Sequence, residues 1–81
     1  MNVTVQLFAG ARESVGQERI DVAITDDATV RALREAMRQQ FPHLEPLLSH
    51  ALFAVDAAYA TDETPIANGA EVALIPPVSG G

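Results

Sequence analysis

The sequence predicts a single α+β domain in which one main helix and a short helical turn pack on a mixed five-stranded sheet. Three observations support this prediction. The chain has 81 residues, a length that suits one domain with one modest core. Several short segments alternate between apolar and polar residues, as half-buried strands do. Between the second and third of these segments, apolar residues instead recur at helical spacing.

The first two strands are predicted over residues 2–9 and 19–24. In the first, Val3, Val5 and Leu7 share one face and Phe8 lies on the other, because side chains alternate along a strand. The second buries its own alternating apolar residues in the same way. Residues 10–16 are mostly polar and have a glycine at each end, so they are predicted to form the loop of a hairpin.

The main helix is predicted to begin after Thr29, a residue type that caps helix N-termini. Its buried stripe consists of Val30, Leu33, Met37 and Phe41. Its solvent side consists of Arg31, Arg34, Glu35 and Arg38. Pro42 ends the helix because proline disfavours helical geometry in the residue before it.

The rest of the domain is predicted as a helical turn over residues 43–50 and strands over 51–55, 59–60 and 71–75. Tyr59 is expected to pack against the body. In the last strand Val72 and Leu74 face the core, whereas Ile75 faces outward. The first and last strands are the most apolar, and as neighbours they would be parallel because the helix supplies the crossover. This order is the β-grasp arrangement, which ubiquitin shares.

Composition excludes several classes of function. The net charge is −6 and all five basic residues are arginines, so the sequence contains no basic stripe for nucleic acid and no polybasic membrane anchor. The absence of cysteine excludes disulfides and thiolate chemistry. No signal-peptide pattern and no apolar run of about 20 residues is present. The expectation is a cytoplasmic protein whose partners are other proteins.

The candidates for an internal active site are weak. Arg12 and Glu13 are interpreted as a solvated or loop-bracing pair, and His43 and His50 lack a third metal ligand nearby in the sequence. No serine has the sequence context of a nucleophile, and no glycine-rich phosphate loop follows a strand. The chain is therefore predicted to bind no metal or cofactor, and its chemistry would be completed in a partner.

The C-terminal tail carries the strongest functional signal. Residues 1–77 are predicted as the domain and 78–81 as a tail that ends in Gly80-Gly81. Extended, the tail reaches at most about 14 Å at ~3.3–3.6 Å per residue. Because glycine has no side chain, such an end can enter a slot as narrow as the backbone, and the free carboxylate of Gly81 is the predicted reactive group. The alternative interpretation is a frayed terminus.

A docking surface is predicted beside the root of the tail. Phe8 and Ile75 would project from the same face of the sheet if the first and last strands are parallel neighbours. Clustered exposed apolar groups are typical of protein interfaces. The alternatives are that Phe8 closes the edge of the core, or that both residues are isolated on the surface.

Four segments together resemble one known family, the small subunit of molybdopterin synthase, a ubiquitin-like sulfur carrier. They are Phe8-Ala9-x-x-Arg12-Glu13-x-x-Gly16, Thr29-Val30-x-x-Leu33-Arg34, Phe53-Ala54-Val55-Asp56 and Asn68-Gly69-x-Glu71-Val72-Ala73-x-x-Pro76-Pro77-Val78-Ser79-Gly80-Gly81. The resemblance covers essentially the whole chain, and the closing segment is the most specific part.

The resemblance implies a definite chemistry. An activating enzyme of the ubiquitin-activating type would use ATP to adenylate Gly81, and a sulfur donor would convert it to a thiocarboxylate. The tail residues would then insert into the large subunit: Pro77, Val78, Ser79, Gly80 and Gly81. There the sulfur would pass to cyclic pyranopterin monophosphate, and two rounds would make molybdopterin. Two small and two large subunits would form a heterotetramer, with Phe8 and Ile75 at the contact.

Three positions depart from the pattern of this family. Asp56 replaces the usual Asn, Ala70 a frequent Asp, and Ile75 a frequent aromatic residue.

Three other functions stay open. The alternatives are a sulfur carrier of the thiamin pathway, a protein modifier of the ubiquitin type, and an interaction domain with an inert tail. The absence of lysine forbids chains of this protein linked through its own side chains.

Overall fold

The computed structural model describes residues 1–76, and these form a mixed five-stranded sheet with helices on one face. The elements are β1 (Asn2–Leu7), α1 (Ala9–Val15), β2 (Arg19–Ala23), α2 (Val30–Gln40), a 3-10 turn (Pro42–Leu44), α3 (Glu45–Leu48), β3 (Leu52–Val55), β4 (Ala58–Ala60) and β5 (Val72–Ile75). The predicted fold class is confirmed. The predicted tail and the last residue of the predicted domain, Pro77, lie outside the described residues.

The strand order is β2-β1-β5-β3-β4, with β1 and β5 at the centre. These two strands are parallel, and Val5 lies opposite Val72 and Leu7 opposite Leu74. The β1–β2 and β3–β4 pairs are antiparallel hairpins, and β5 is also antiparallel to β3. The predicted parallel pairing of the first and last strands is therefore confirmed, and α2 lies in the crossover between them.

The core lies between one face of the sheet and α2. Alternate residues of β1, β2 and β5 are buried, together with Leu33 and Met37 of α2 and Phe53 of β3. Helix α2 begins where the sequence predicts, because the Thr29 hydroxyl accepts a hydrogen bond of 3.4 Å from the backbone N–H of Ala32. This bond satisfies one of the free donors at the helix N-terminus.

The prediction that residues 10–16 form a loop is wrong, because most of that segment is helix α1. Ala11 is fully buried in the core, so packing stabilises a helix that is too short to form alone. Gly16 ends the helix at φ 79° and donates its N–H to the Arg12 carbonyl at 2.8 Å. A glycine in this left-handed conformation is a common helix end.

The prediction that Arg34 lies on the solvent side of the helix is also wrong. Its side chain is only 16% exposed, and its guanidinium donates to the carbonyls of Leu48 and Ala51 and to Asp62 Oδ1. The guanidinium carbon also lies 5.0 Å from the centre of the Phe53 ring, within cation–π range. Arg34 thus joins α2 to the end of α3, the start of β3 and the segment after β4.

The β3–β4 hairpin turns through two residues that both have positive φ, Asp56 at 50° and Ala57 at 67°. This combination is typical of a type I′ turn, which favours glycine because a Cβ is strained there. We expect Ala57→Gly to raise the free energy of unfolding by about 0.5–1 kcal/mol.

Chemical denaturation measures this change. Ala58→Gly is the matched control, because Ala58 is the first residue of β4 and glycine weakens a strand. Equal destabilisation by both substitutions would contradict strain at Ala57.

Candidate functional site

The face of the sheet opposite α2 carries an exposed apolar patch at one end. Residues paired between strands share a face, and Leu52 of β3 lies directly opposite Ile75 of β5. Phe8 follows β1 with an extended backbone (φ −127°, ψ 155°), so it continues the parallel register one position past Leu7 and Leu74. Phe8 is 40% exposed and Leu52 54% exposed. The side chains of Phe8, Ile75 and Leu52 therefore form one row at the C-terminal end of β5.

Tyr59 of β4 lies on the same face, in the adjacent row that contains Ala54 and Ala73. It pairs with Ala54 and thus lies diagonally from Leu52, a spacing of roughly 7–8 Å that an aromatic side chain can bridge. The expectation that Tyr59 packs is wrong, because its side chain is 74% exposed. It projects from the face that α2 does not cover. Phe8, Leu52, Ile75 and Tyr59 are called the apolar patch below.

The sequence singled out Phe8 and Ile75 but missed Leu52. The structure brings Phe8 and Ile75 together on the same face, and their role in docking stays a prediction. Leu52 was missed because residues 51–55 are all apolar, so the sequence does not show which of them alternate outward. The pairing of Leu52 with Ile75 supplies the missing information.

The root of the tail lies within the apolar patch. Strand β5 ends at Ile75, and the next residue, Pro76, is buried. Proline stops the strand because it has no N–H for the ladder. Pro76, the last described residue, therefore directly follows the member of the apolar patch that lies opposite Leu52. The predicted reactive and inserted residues, 77–81, lie outside the described part of the chain.

The remaining polar candidates do not assemble into a catalytic centre within residues 1–76. Arg12 and Glu13 are both exposed, and the guanidinium of Arg12 lies 4.0 Å from Glu18. No group of three metal-ligating side chains occurs in this part of the chain. None of the helices described there has the length and hydrophobicity needed to cross a membrane.

The arrangement defines a class of protein: a ubiquitin-like β-grasp domain whose last strand, β5, ends in an exposed apolar patch. The ThiS family matches residues 5–81, and the chain therefore belongs to the ThiS family. The molybdopterin synthase sulfur carrier subunit of Escherichia coli (strain K12) is 38% identical over 81 residues, which cover 98% of this chain and 99% of that protein. The resemblance to this group of small subunits is confirmed.

Two solved structures have the same fold over the full length of both chains. The crystal structure of SAMP1 from Haloferax volcanii has a TM-score of 0.85 and 30% identity, with 100% of each chain covered. A complex of subunits 1 and 2 of the molybdopterin-converting factor from Helicobacter pylori has a matching chain with a TM-score of 0.67 and 27% identity, again with 100% of each chain covered. One of these two neighbours is therefore part of a two-subunit complex.

Proposed function

We propose that this chain is the sulfur-carrier small subunit of a molybdopterin synthase. The observation that carries the proposal is the position of Ile75. This residue both ends the last strand and belongs to the apolar patch. A partner that covers the patch would therefore receive the C-terminal residues directly into its own surface. Full-length similarity to molybdopterin synthase sulfur carrier subunits supports the same function.

The proposed chemistry begins at the carboxylate of Gly81. A carboxylate oxygen attacks the α-phosphate of ATP in an activating enzyme, which forms an acyl adenylate and releases pyrophosphate. Hydrosulfide released from a sulfur donor then attacks the acyl carbon and AMP leaves, so that the C-terminus becomes a thiocarboxylate. ATP is a substrate of the activating enzyme, and no cofactor is bound by this chain itself.

Sulfur transfer takes place in the large subunit. The thiocarboxylate sulfur of Gly81 attacks a side-chain carbon of cyclic pyranopterin monophosphate, where a carbon–sulfur bond forms and a carbon–oxygen bond breaks. Water then hydrolyses the bond between the acyl carbon and the sulfur. The sulfur stays on the pterin and Gly81 returns to its carboxylate. Two rounds supply the two dithiolene sulfurs of molybdopterin. A tail of Pro77, Val78, Ser79, Gly80 and Gly81 delivers the reactive atom because its last two residues have no side chains to obstruct entry.

The proposed assembly contains two copies of this chain and two large subunits in the cytoplasm. Phe8, Ile75, Leu52 and Tyr59 form the contact in each pair, because an apolar patch excludes water most effectively when it is fully covered. The similarity to one chain of the two-subunit complex from Helicobacter pylori supports a heteromeric contact.

The proposal is tested by reconstitution. The chain is prepared with a thiocarboxylate at Gly81, mixed with the large subunit and cyclic pyranopterin monophosphate, and assayed for molybdopterin. We expect product from the thiocarboxylate form and none from the matched carboxylate form. Failure to form product, together with stable binding to a thiazole-forming enzyme, would instead assign the chain to the thiamin pathway.

A protein modifier is the second candidate function. SAMP1 stands for small archaeal modifier protein 1, and the similarity to SAMP1 from Haloferax volcanii, at 30% identity and a TM-score of 0.85, favours this function. An activated Gly81 would then acylate lysine amines of target proteins. Mass spectrometry of cell extracts would detect peptides in which a target lysine carries the Gly80-Gly81 end. Because this chain contains no lysine, such conjugates could not extend into chains through its own side chains.

A further inference from the structure

Ala9 has a strained backbone at the junction between β1 and α1. Its φ is 50°, in the left-handed region, where a Cβ lies too close to the following carbonyl oxygen. Among residues 1–76 the other two non-glycine residues with positive φ, Asp56 and Ala57, form the β3–β4 turn. An aspartate can offset part of this strain with a local hydrogen bond, but the methyl group of alanine cannot. The surrounding structure must therefore hold Ala9 in this conformation.

A glycine stands next to this position and not at it. Gly10 does not have a positive φ, and a Cβ added to Gly10 would make an ordinary contact of 3.8 Å with Leu47 Cδ1. The backbone thus does not need glycine at position 10, whereas glycine at position 9 would relieve the strain. Ala9 is exposed, so burial of its methyl group contributes little to offset that strain. Folding alone favours glycine at position 9.

Two buried residues hold the junction in place. Leu7, the last residue of β1, is 1% exposed, and its N–H donates to the Glu18 carbonyl at 2.8 Å. Ala11 of α1 is fully buried, and its N–H donates to the Phe8 carbonyl at 3.1 Å. The chain therefore has to change from an extended strand to a helix between these two buried residues, and Ala9 takes up this change.

The strained residue adjoins the one member of the apolar patch that lies outside the strands. Leu52, Tyr59 and Ile75 lie within β3, β4 and β5, and side chains in a paired strand have a fixed direction. Phe8 lies one position past the end of β1, and its carbonyl accepts a hydrogen bond from α1. The direction of the Phe8 side chain therefore depends on the backbone at positions 8 and 9. Glycine at position 9 has access to more backbone conformations, so it would loosen Phe8.

We propose that Ala9 is a positioning residue that keeps Phe8 directed outward for docking on the large subunit. This inference rests on the proposed function and identifies a residue that acts through the apolar patch without belonging to it. A side chain that is already ordered in the free protein loses less conformational entropy on binding. The left-handed conformation of Ala9 thus weakens folding, while its restricted backbone strengthens binding. Strain of this kind is found at functional sites, where stability and function can oppose each other.

A double-mutant cycle tests this inference. Ala9→Gly is measured alone and combined with Phe8→Ala, and isothermal titration calorimetry gives the dissociation constant of each full-length chain for the large subunit. Ala57→Gly is the matched control, because it makes the same substitution at the other exposed alanine of residues 1–76 that has a positive φ. It is likewise measured alone and combined with Phe8→Ala.

We expect Phe8→Ala to weaken binding about tenfold or more, and Ala9→Gly to weaken it about three- to tenfold. When Phe8→Ala is already present, Ala9→Gly should change the dissociation constant by less than about twofold, because the side chain that it positions is gone. Ala57→Gly should have the same effect with and without Phe8. The urea midpoint of Ala9→Gly should equal or exceed that of the wild type, which separates lost binding from lost folding.

Four results would overturn the inference. Equal binding by Ala9→Gly and the wild type, or by Phe8→Ala and the wild type, would show that no docking contact is positioned there. An equal loss from Ala9→Gly with and without Phe8 would show that Ala9 does not act through that side chain. A lower urea midpoint for Ala9→Gly would show that the backbone is not strained.

The same experiment distinguishes this inference from the proposed function. If the wild-type chain binds the large subunit and any of the four results is found, only the positioning role of Ala9 is refuted. If the wild-type chain does not bind at all, the assignment to molybdopterin synthase is refuted together with it.

Discussion

Deletion of Gly81 is expected to abolish sulfur transfer while leaving the fold intact. The shortened chain ends at Gly80, so its terminal carboxylate lies up to about 3.5 Å short of the position that Gly81 would reach. A misplacement of only about 1 Å can cost roughly 100-fold in rate, so we expect a loss of at least that size. The buried residues of the described structure end at Pro76, and the melting temperature should therefore not change. Molybdopterin formation and thermal unfolding are measured on the same preparation.

Ser79→Ala is the matched control for this deletion. It removes a side-chain hydroxyl from the tail but keeps its length and its terminal Gly80-Gly81. We expect this variant to retain most of its activity, because the proposed mechanism assigns the chemistry to the terminal carboxylate. A chain without Gly81 that transferred sulfur at the wild-type rate would refute that assignment and would favour the inert-tail interpretation.

Phe53→Ala is expected to have the largest effect on stability. The Phe53 side chain is 1% exposed, pairs with Leu74 in the sheet and has the Arg34 guanidinium over its ring. Removal of a buried phenylalanine side chain costs about 3–5 kcal/mol. A domain of this length has a free energy of unfolding of only about 4–12 kcal/mol. The variant should therefore be close to unfolded at physiological temperature.

Urea denaturation of the purified variant measures this loss. Phe53→Leu is the conservative control, because it keeps an apolar side chain of intermediate volume, and we expect it to lose less than half as much. A loss below about 1 kcal/mol for Phe53→Ala would show that the core does not depend on this ring.

The central strands could be predicted because buried and exposed residues alternate along them. In β1 and β5 one face meets the core and the other does not, so Val5 and Leu7 alternate visibly with polar neighbours. The parallel pairing followed from the order of the elements, since a helix lies between the two strands. The stripe of α2 was visible for the same reason: Val30, Leu33 and Met37 all face one sheet.

The errors share a different physical cause. Helix α1 contacts the core through buried Ala11 and partly buried Val15, a contact that is too small for a periodic pattern to reveal. Arg34 flanks the apolar stripe of α2, and its burial results from the chain segments that lie over it, Leu48, Ala51 and Asp62. Tyr59 is exposed because its strand presents it to the uncovered face. Local sequence does not specify which neighbours cover a residue.

The surface proposed for docking was only partly visible in the sequence. Phe8 and Ile75 stood out because each interrupts a polar face beside the tail. Leu52 was not visible, because residues 51–55 are all apolar and its place beside Ile75 follows only from strand register. Register depends on the assembled sheet, so this position requires a structure.

The central claim is that the carboxylate of Gly81 carries the sulfur, and intact-mass analysis tests it most directly. The protein is incubated with the activating enzyme, ATP and a sulfur donor, and the modified residue is then located by fragmentation. We predict a mass gain equal to the exchange of one oxygen for one sulfur, located on Gly81 and absent when ATP is omitted. An unchanged mass with an activating enzyme that modifies a known carrier in parallel, or a gain located on any other residue, would contradict it.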